Sequence, residues 1–124
     1  MKVLIVDDSK ATRMILKKIL SQVGIDDIVE AGHGVEALER LETNGDAALA
    51  LLDWNMPVMD GYQLLQEIRS RRALDGMRVM MVTTETEISQ VERALAAGAN
   101  EYVMKPFSHD TIKEKLTMMG LGTG

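Results

Sequence analysis

Three aspartates stand directly after two apolar segments of the chain, where a strand would open into a loop. Asp53 follows the apolar run 48–52, and Asp7 and Asp8 follow the apolar run 3–6. A carboxylate at the end of a buried strand lies at the mouth of a fold, where it can bind a cation or attack an electrophile. The chemistry open to this chain therefore depends on whether the three carboxylates meet.

The bulk composition excludes several classes of function. The chain has 124 residues, which corresponds to one domain, and a formal net charge of -5 at pH 7. Such an acidic balance argues against direct binding of nucleic acid, because phosphate binding requires clustered Lys and Arg. The chain has no cysteine, which excludes disulfides, thiolate metal sites and a cysteine nucleophile.

The distribution of apolar residues predicts a soluble, cytoplasmic protein. No apolar stretch approaches the roughly 20 residues that span a bilayer, and the N-terminus runs into a strand-like segment with no room for a signal peptide. We expect a single domain over residues 1–120. The last residues, 121–124, have the composition of a flexible C-terminal tail.

Five short apolar runs alternate with five longer amphipathic segments. The predicted strands β1–β5 cover residues 2–6, 27–31, 48–52, 78–83 and 101–104. The predicted helices α1–α5 cover about 9–23, 35–43, 62–72, 88–97 and 110–119. Ser9 is a good N-cap for α1, and Gly24 would end it. The alternation predicts βαβ units, and hence a parallel sheet with helices on both faces.

Apolar spacing predicts the buried stripe of most helices. The stripes of α2 to α5 are, in chain order, Val35 with Leu38 and Leu41, Leu64 with Leu65 and Ile68, Ile88 with Val91 and Leu95, and Ile112 with Leu116 and Met119. His33 and His109 fall outside these stripes, and we expect both on the surface.

Composition also orders the strands. β1, β3 and β4 are continuous apolar runs, as expected for strands covered on both faces, whereas β2 and β5 carry charge. Central β1, β3 and β4 with β2 and β5 at the edges give the order 2-1-3-4-5 with right-handed crossovers. This is an α/β, flavodoxin-like (βα)5 three-layer sandwich. Its ligand-binding switch point lies between β1 and β3, so the three aspartates should meet there.

Two further polar side chains belong to the same edge of the sheet, since Thr83 ends β4 and Lys105 follows β5. Three adjacent carboxylates repel one another, and a hard divalent cation relieves the repulsion. With oxygen ligands and neither Cys nor clustered His, Mg²⁺ is the expected ion. Because Mg²⁺ usually combines one or two carboxylates with a phosphate oxygen, the set predicts phosphoryl transfer, with an aspartate as the nucleophile.

Four motifs carry a resemblance to a known family. They are VDDS at 6–9, DWNMP at 53–57 with MDG at 59–61, VTTE at 82–85 and YVMKPF at 102–107. In this order and at these spacings, over residues 2–119, the chain resembles the receiver domains of bacterial two-component response regulators. Within that family it is similar to the stand-alone, CheY-like chemotaxis-type regulators.

The resemblance implies a role for each residue of the site. Asp53 would accept the phosphoryl group, and Lys105 would contact the phosphoryl oxygens. Mg²⁺ would be held by Asp8, Asp53 and the backbone carbonyl of Asn55, with Asp7 acting through water. The domain would be a signalling phosphoprotein that catalyses only its own phosphorylation and dephosphorylation.

The resemblance also implies a conformational switch. Thr83 would turn its hydroxyl onto the phosphoryl group, and Tyr102 would rotate into the space that Thr83 leaves. This would shift a two-state equilibrium and remodel the face formed by α4, β5 and α5. The bond between Lys105 and Pro106 would be cis, as in the family.

Two residues beside the phosphoryl position are expected to set its lifetime. Asn55 and Thr84 flank this position and would control how water reaches it. The amide of Asn55 would orient the attacking water, so we expect spontaneous loss of phosphate within minutes.

The implied partners are proteins. A histidine kinase of the CheA type would donate the phosphoryl group, and a downstream protein would dock on the α4-β5-α5 face of a monomer, without nucleic acid or membrane insertion. One region departs from the chemotaxis pattern. The start of α4 is lysine-rich there, whereas this chain carries Glu85, Glu87 and Glu92. The flagellar motor is therefore not carried over as the partner.

Several alternatives stay open. A flavodoxin-like FMN protein would need a hydroxyl- and glycine-rich phosphate cradle after β1, where this chain has Asp7 and Asp8. A phosphatase would usually need a cap domain and a second acid two residues after the nucleophile, where Asn55 stands. The chain could also be a receiver excised from a larger regulator, although the complete pattern of α5 favours a stand-alone protein. A pseudo-receiver that only docks partners is the last alternative, although all five site residues are present.

Overall fold

Five parallel strands form one sheet in the order β2-β1-β3-β4-β5, which confirms the predicted topology. The computed structural model describes residues 1–121, except the side chains of residues 85 and 86. The strands are β1 Lys2–Val6, β2 Asp27–Ala31, β3 Leu49–Asp53, β4 Arg78–Thr83 and β5 Glu101–Met104. The helices are α1 Lys10–Gln22, α2 Gly34–Thr43, α3 Gly61–Arg69, α4 Val91–Ala96 and α5 His109–Met118. Among the described residues, no helix is long and apolar enough to cross a membrane.

Alternation along the strands divides the core into two layers. Leu4 and Val6 of β1 join a first cluster, which contains side chains of α2, α3 and α4. Val3 and Ile5, which point to the opposite face, join a second cluster with side chains of α1 and α5. These four side chains are at most 1% exposed. The central sheet is therefore covered on both faces, as the continuous apolar runs predicted.

The helix entries are capped by polar side chains. Ser9 caps α1 as predicted, because its Oγ accepts a hydrogen bond from the Thr12 N–H at 3.2 Å. Asp60 caps α3 and forms a reciprocal capping box with Gln63. The exposed His33 caps α2 through Nδ1, which accepts from the Glu36 N–H at 3.2 Å. These caps fix where each helix begins relative to the carboxyl edge of the sheet.

The fourth helical segment differs from its prediction. Residues Glu85–Gln90 form a 3₁₀ segment, and the α-helix begins only at Val91. Val91 is buried as predicted, but Ile88 and Leu95 are 37% and 41% exposed. A 3₁₀ segment has three residues per turn, so it moves Ile88 out of the α-helical stripe. The small side chain of Ala94 is buried instead, in the first cluster.

Two other helices differ in detail. Val35 was predicted to be buried on α2, but it is 46% exposed, because the buried stripe runs through Gly34, Ala37 and Leu41. α3 ends at Arg69 rather than at 72, and a 3₁₀ turn at Arg72–Leu74 follows it and buries Leu74. The buried stripes predicted for α3 and α5 are confirmed.

The C-terminal end of the described chain is attached to the core. Leu121, the first residue of the predicted tail, packs against the second cluster, and its N–H donates to the Leu116 carbonyl at 2.8 Å. The other predicted tail residues, 122–124, lie outside the described residues.

A side chain at position 61 is predicted to destabilise the fold, because there is no space for a Cβ atom. A Cβ at this position would overlap the Asp53 carbonyl oxygen and lie 2.9 Å from the Trp54 Cα, and both are backbone atoms. We expect Gly61→Ala to lower the free energy of unfolding by about 1–3 kcal/mol, measured by urea denaturation. Gly76→Ala is the matched control, because a Cβ there meets nothing within 4 Å. Equal stability of the two variants would contradict the prediction.

Candidate functional site

The parallel register brings the three aspartates together. Val6 lies opposite Leu52, so the residues that follow β1 lie beside the end of β3. Asp7, Asp8 and Asp53 each offer a carboxylate oxygen, and these oxygens lie within 4.8 Å of one another. Asp7 and Asp53 are 1% and 5% exposed, whereas Asp8 is exposed. The acidic cluster therefore has two buried members and one that faces solvent.

Lys105 joins the two buried carboxylates. Its Nζ lies 3.2 Å from Asp7 Oδ2 and 3.3 Å from Asp53 Oδ1. Its backbone N–H donates to the Thr83 carbonyl at 2.7 Å, which fixes the start of the loop after β5. The peptide bond from Lys105 to Pro106 is cis, as expected. One ammonium group thus bridges an aspartate that follows β1 and an aspartate that ends β3.

The loop after β1 is held by contacts that the sequence pattern did not reveal. Asp7 Oδ1 accepts a hydrogen bond from the Ser9 N–H at 2.8 Å. Arg13 Nη1 donates to the Asp7 carbonyl at 2.6 Å, and its Nε donates to Glu30 Oε1 at 3.1 Å. The only sequence signal for Arg13 was a cation on α1, one and a half turns after the aspartates. Its two contacts tie the acidic loop to both α1 and β2.

Burial and charge shift the titration of the site. Burial, and then the neighbouring charge of Asp7, raise the pKa of Asp53 to about 6, although Lys105 and the Asn55 backbone N–H act in the opposite direction. Burial lowers the pKa of Lys105, but the charges of Asp53 and Asp7 outweigh it, so this pKa is raised overall. The lysine is therefore charged at neutral pH, and the aspartates carry more negative charge than it balances.

The donor set fits a hard divalent cation. Three carboxylates and one ammonium leave two uncompensated negative charges when all four groups are ionised, and the oxygens already lie close together. Hard divalent cations prefer oxygen ligands of this kind. The exposed carboxylate of Asp8 gives such an ion a route from solvent.

The remaining predicted residues lie on β4 and β5 or directly after β3 and β4. Thr83 is 1% exposed, and its hydroxyl donates to the Thr84 carbonyl at 3.2 Å. The Thr84 hydroxyl in turn donates to the Glu87 carboxylate. Asn55 is exposed, and Tyr102 is half-buried against the first cluster. The β3–β4 register pairs Asp53 with Val82, which places Thr83 at the same edge of the sheet.

An aromatic stack extends from the site toward α4. Trp54, which follows Asp53, is 5% exposed, and its ring stacks on Tyr62 with 5.8 Å between centroids and 20° between planes. The Arg93 guanidinium lies 4.6 Å from the Tyr62 ring centroid. No sequence pattern predicts this stack, because the three residues come from separate segments.

The raised pKa predicts a stabilising substitution. A carboxyl group whose pKa is about 6 in the folded protein and about 4 when unfolded binds more protons in the folded state. Its ionised form thus destabilises the fold above pH 6, and the penalty disappears as pH falls toward 4. We expect Asp53→Asn to raise the free energy of unfolding at pH 8 by about 1–3 kcal/mol in buffer with a chelator, and the gain to vanish near pH 4.

Urea denaturation across this pH range measures the effect. Asp46→Asn is the control, since Asp46 is an exposed acid paired with Lys2 and lies outside the site. If the gain in unfolding free energy of Asp53→Asn grew as pH falls, the prediction would be wrong, because the pH dependence would then have the opposite sign.

The chain is similar to known chemotaxis proteins in sequence and in fold. The chain is 45% identical to the chemotaxis protein CheY homolog of Campylobacter jejuni, in an alignment that covers 100% of this chain and 96% of that protein. It is 46% identical to chemotaxis protein CheY1 of Helicobacter pylori, over 99% of this chain and 98% of that protein. The solved structure of Vibrio cholerae CheY4 superposes with a TM-score of 0.85 at 31% identity, over 94% and 95% of the two chains.

A sequence model also matches almost the whole chain. It describes the response regulator receiver domain and aligns with residues 3–117. That range contains the three aspartates, Lys105 and the half-buried Tyr102. The chain therefore belongs to the response regulator receiver domain family, as a receiver of the CheY type.

Proposed function

We propose that Asp53 accepts a phosphoryl group from the phosphohistidine of a histidine kinase, and that the modified domain signals to a partner through the α4-β5-α5 face. The observation that carries this proposal is the Asp53 carboxylate itself. It is buried at the carboxyl edge of the sheet, with Lys105 Nζ at 3.3 Å and two further aspartates beside it. Membership in the receiver family supports the same assignment.

The transfer needs one nucleophile and one fixed cation. A carboxylate oxygen of Asp53 attacks phosphorus, the bond from phosphorus to the kinase imidazole nitrogen breaks, and the product is an acyl phosphate on Asp53. Lys105 is already within ion-pair distance of Asp53, so it stabilises the charge brought by the phosphoryl oxygens without a large rearrangement. Its contact with Asp7 keeps the ammonium in place during the reaction.

Mg²⁺ is the cofactor that we propose for this site. Asp8, Asp53 and the Asn55 backbone carbonyl would hold the ion, with Asp7 acting through water. When bound, it neutralises the carboxylates and the phosphoryl oxygens. The donor set supports this choice, because all of its atoms are oxygens and two negative charges are uncompensated.

Thr83 and Tyr102 are the proposed switch. The Thr83 hydroxyl now donates to a backbone carbonyl at 3.2 Å, a bond long enough to be exchanged for a charged phosphoryl oxygen. Tyr102 then moves into the space beside Thr83. Thr83 lies on β4 and Tyr102 lies on the neighbouring strand β5, where it is paired with Met81. The two switch residues are therefore on adjacent strands.

Chemotaxis is the proposed pathway, with a kinase of the CheA type as the phosphodonor. The names of the Campylobacter and Helicobacter relatives support it. We propose that the domain acts as a monomer and that its downstream partner differs from one that reads a basic α4. The exposed side chains around α4 here include Ile88, Glu92, Arg93 and Leu95, so one basic and one acidic group stand beside two apolar ones.

Phosphorylation can be tested with Trp54, the only tryptophan of the chain. Trp54 is buried next to Asp53, so its fluorescence should change when Mg²⁺ is added and change again with acetyl phosphate. Intact-mass spectrometry should show the addition of one phosphoryl group. We expect Asp53→Asn to abolish the second change and the mass increase, and Asp46→Asn to keep both. Addition of phosphate to Asp53→Asn at the wild-type rate would overturn the assignment of the acceptor.

Asn55 is predicted to control the lifetime of the acyl phosphate. It is exposed two residues after Asp53, and we propose that its amide orients the attacking water. We expect the wild-type phosphate to be lost within minutes and Asn55→Ala to slow the loss by roughly tenfold. The measurement is the decay of the phosphorylated mass after acetyl phosphate is removed, with Gln66→Ala as an exposed control. A wild-type lifetime of many hours would contradict this role.

A further inference from the structure

Lys115 contacts a switch residue from the far side of the sheet. Lys115 belongs to α5, yet its Nζ lies 4.6 Å from the ring centroid of Tyr102 on β5. The same Nζ lies 2.9 Å from Glu101 Oε1. The ammonium therefore has two partners on one edge strand, an aromatic face and a carboxylate.

The path of Lys115 crosses the edge of the sheet. Its neighbours on α5, Ile112 and Leu116, are buried in the second cluster. The Tyr102 side chain packs against the first cluster, on the opposite face. Because β5 is an edge strand, the lysine side chain can pass around it and reach that face. The contact thus joins the α5 layer to a residue that packs with the other layer.

Glu101 holds the ammonium over the ring. Its Oε1 accepts from Lys115 Nζ and also from the Tyr102 backbone N–H, at 3.0 Å. The Lys115 and Glu101 side chains are only 19% and 14% exposed, so solvent screens this pair less than an ordinary surface pair. A cation near an aromatic face is attracted by the ring quadrupole, and more so when it is partly desolvated.

We propose that Lys115, held by Glu101, is a positioning residue that sets the balance between the two orientations of Tyr102. This inference rests on the proposed function, in which Tyr102 reorients when Asp53 is phosphorylated. The contact exists with Thr83 still bonded to the Thr84 carbonyl, so it stabilises the orientation that precedes phosphorylation. Loss of the lysine charge shifts the equilibrium toward the other orientation before any phosphate is added.

Fluorine NMR can follow the Tyr102 ring directly. The chain has two tyrosines, so protein made with 3-fluorotyrosine gives two signals, and Tyr62→Phe assigns them. Acetyl phosphate with Mg²⁺ defines the phosphorylated position of the Tyr102 signal. The test variants are Lys115→Met, Lys115→Arg and Glu101→Gln. Lys113→Met is the matched control, an exposed lysine on the same helix.

We expect the unphosphorylated Tyr102 signal of Lys115→Met and Glu101→Gln to move toward the phosphorylated position, with the ratio of the two orientations raised about three- to tenfold. Phosphorylated Lys115→Met should reach the wild-type phosphorylated position, which separates reorientation from a direct effect of the lost charge. Lys115→Arg should stay near wild type, because a guanidinium keeps both contacts. The double variant Lys115→Met with Glu101→Gln should match Lys115→Met alone, because both changes remove the same contact between the ammonium and the ring.

Three results would overturn the inference. The first is a Tyr102 signal in Lys115→Met at the same position as in Lys113→Met. The second is a displacement of that signal in Lys115→Arg equal to the displacement in Lys115→Met. The third is a displacement in the double variant that equals the sum of the two single displacements. Glu101→Gln keeps the inference testable if Lys115→Met unfolds, because glutamine keeps the acceptor for the Tyr102 N–H. The mass assay separates the two proposals. Absence of phosphate on Asp53 defeats the proposed function, whereas normal phosphorylation with unmoved Tyr102 signals defeats only the role of Lys115.

Discussion

The repulsion between two buried carboxylates is the constraint on which this structure depends. Asp7 and Asp53 share one ammonium, that of Lys105, and a third carboxylate lies at the mouth of the same site. The imbalance is visible in the pKa of Asp53, which burial and the charge of Asp7 raise to about 6. A site with excess negative charge gains free energy from any positive charge that enters it. A site with balanced charges would bind a cation more weakly. It would also bind less tightly a phosphoryl group that enters together with the cation.

The rest of the fold keeps these carboxylates close together despite their repulsion. The apolar clusters on the two faces of the sheet supply the stability that offsets the buried charge. Backbone hydrogen bonds then fix the loops. The Trp54 N–H donates to the Val82 carbonyl at 2.9 Å, and the Gly61 N–H donates to the Trp54 carbonyl at 2.9 Å. These bonds fix the backbone beside Asp53, while Lys105 holds the carboxylates of Asp7 and Asp53 close to each other.

The sequence predicted the parts of this arrangement that depend on local pattern. The contrast between apolar central strands and charged edge strands ordered the sheet, and the order placed Asp7, Asp8 and Asp53 together. Contacts that depend on how long side chains pass around other elements had no such signal. Arg13, Lys115 and the stack of Trp54 on Tyr62 are of this kind. Ile88 was misplaced for a different reason, because a 3₁₀ segment changes the phase of a stripe without changing its composition.

The two helices of the proposed α4-β5-α5 docking face each place a cation over a tyrosine ring. Arg93 of α4 lies over Tyr62, and Lys115 of α5 lies over Tyr102, each with 4.6 Å to the ring centroid. One contact leads to Trp54 beside the acidic site, and the other leads to the proposed switch. A contact between a cation and an aromatic face contributes only about 0.5–2 kcal/mol, much less than the stability of a domain. It can therefore be exchanged during signalling while the cores stay intact. A well-packed apolar contact at these positions would cost more to break, and it would bind α4 and α5 to a single arrangement.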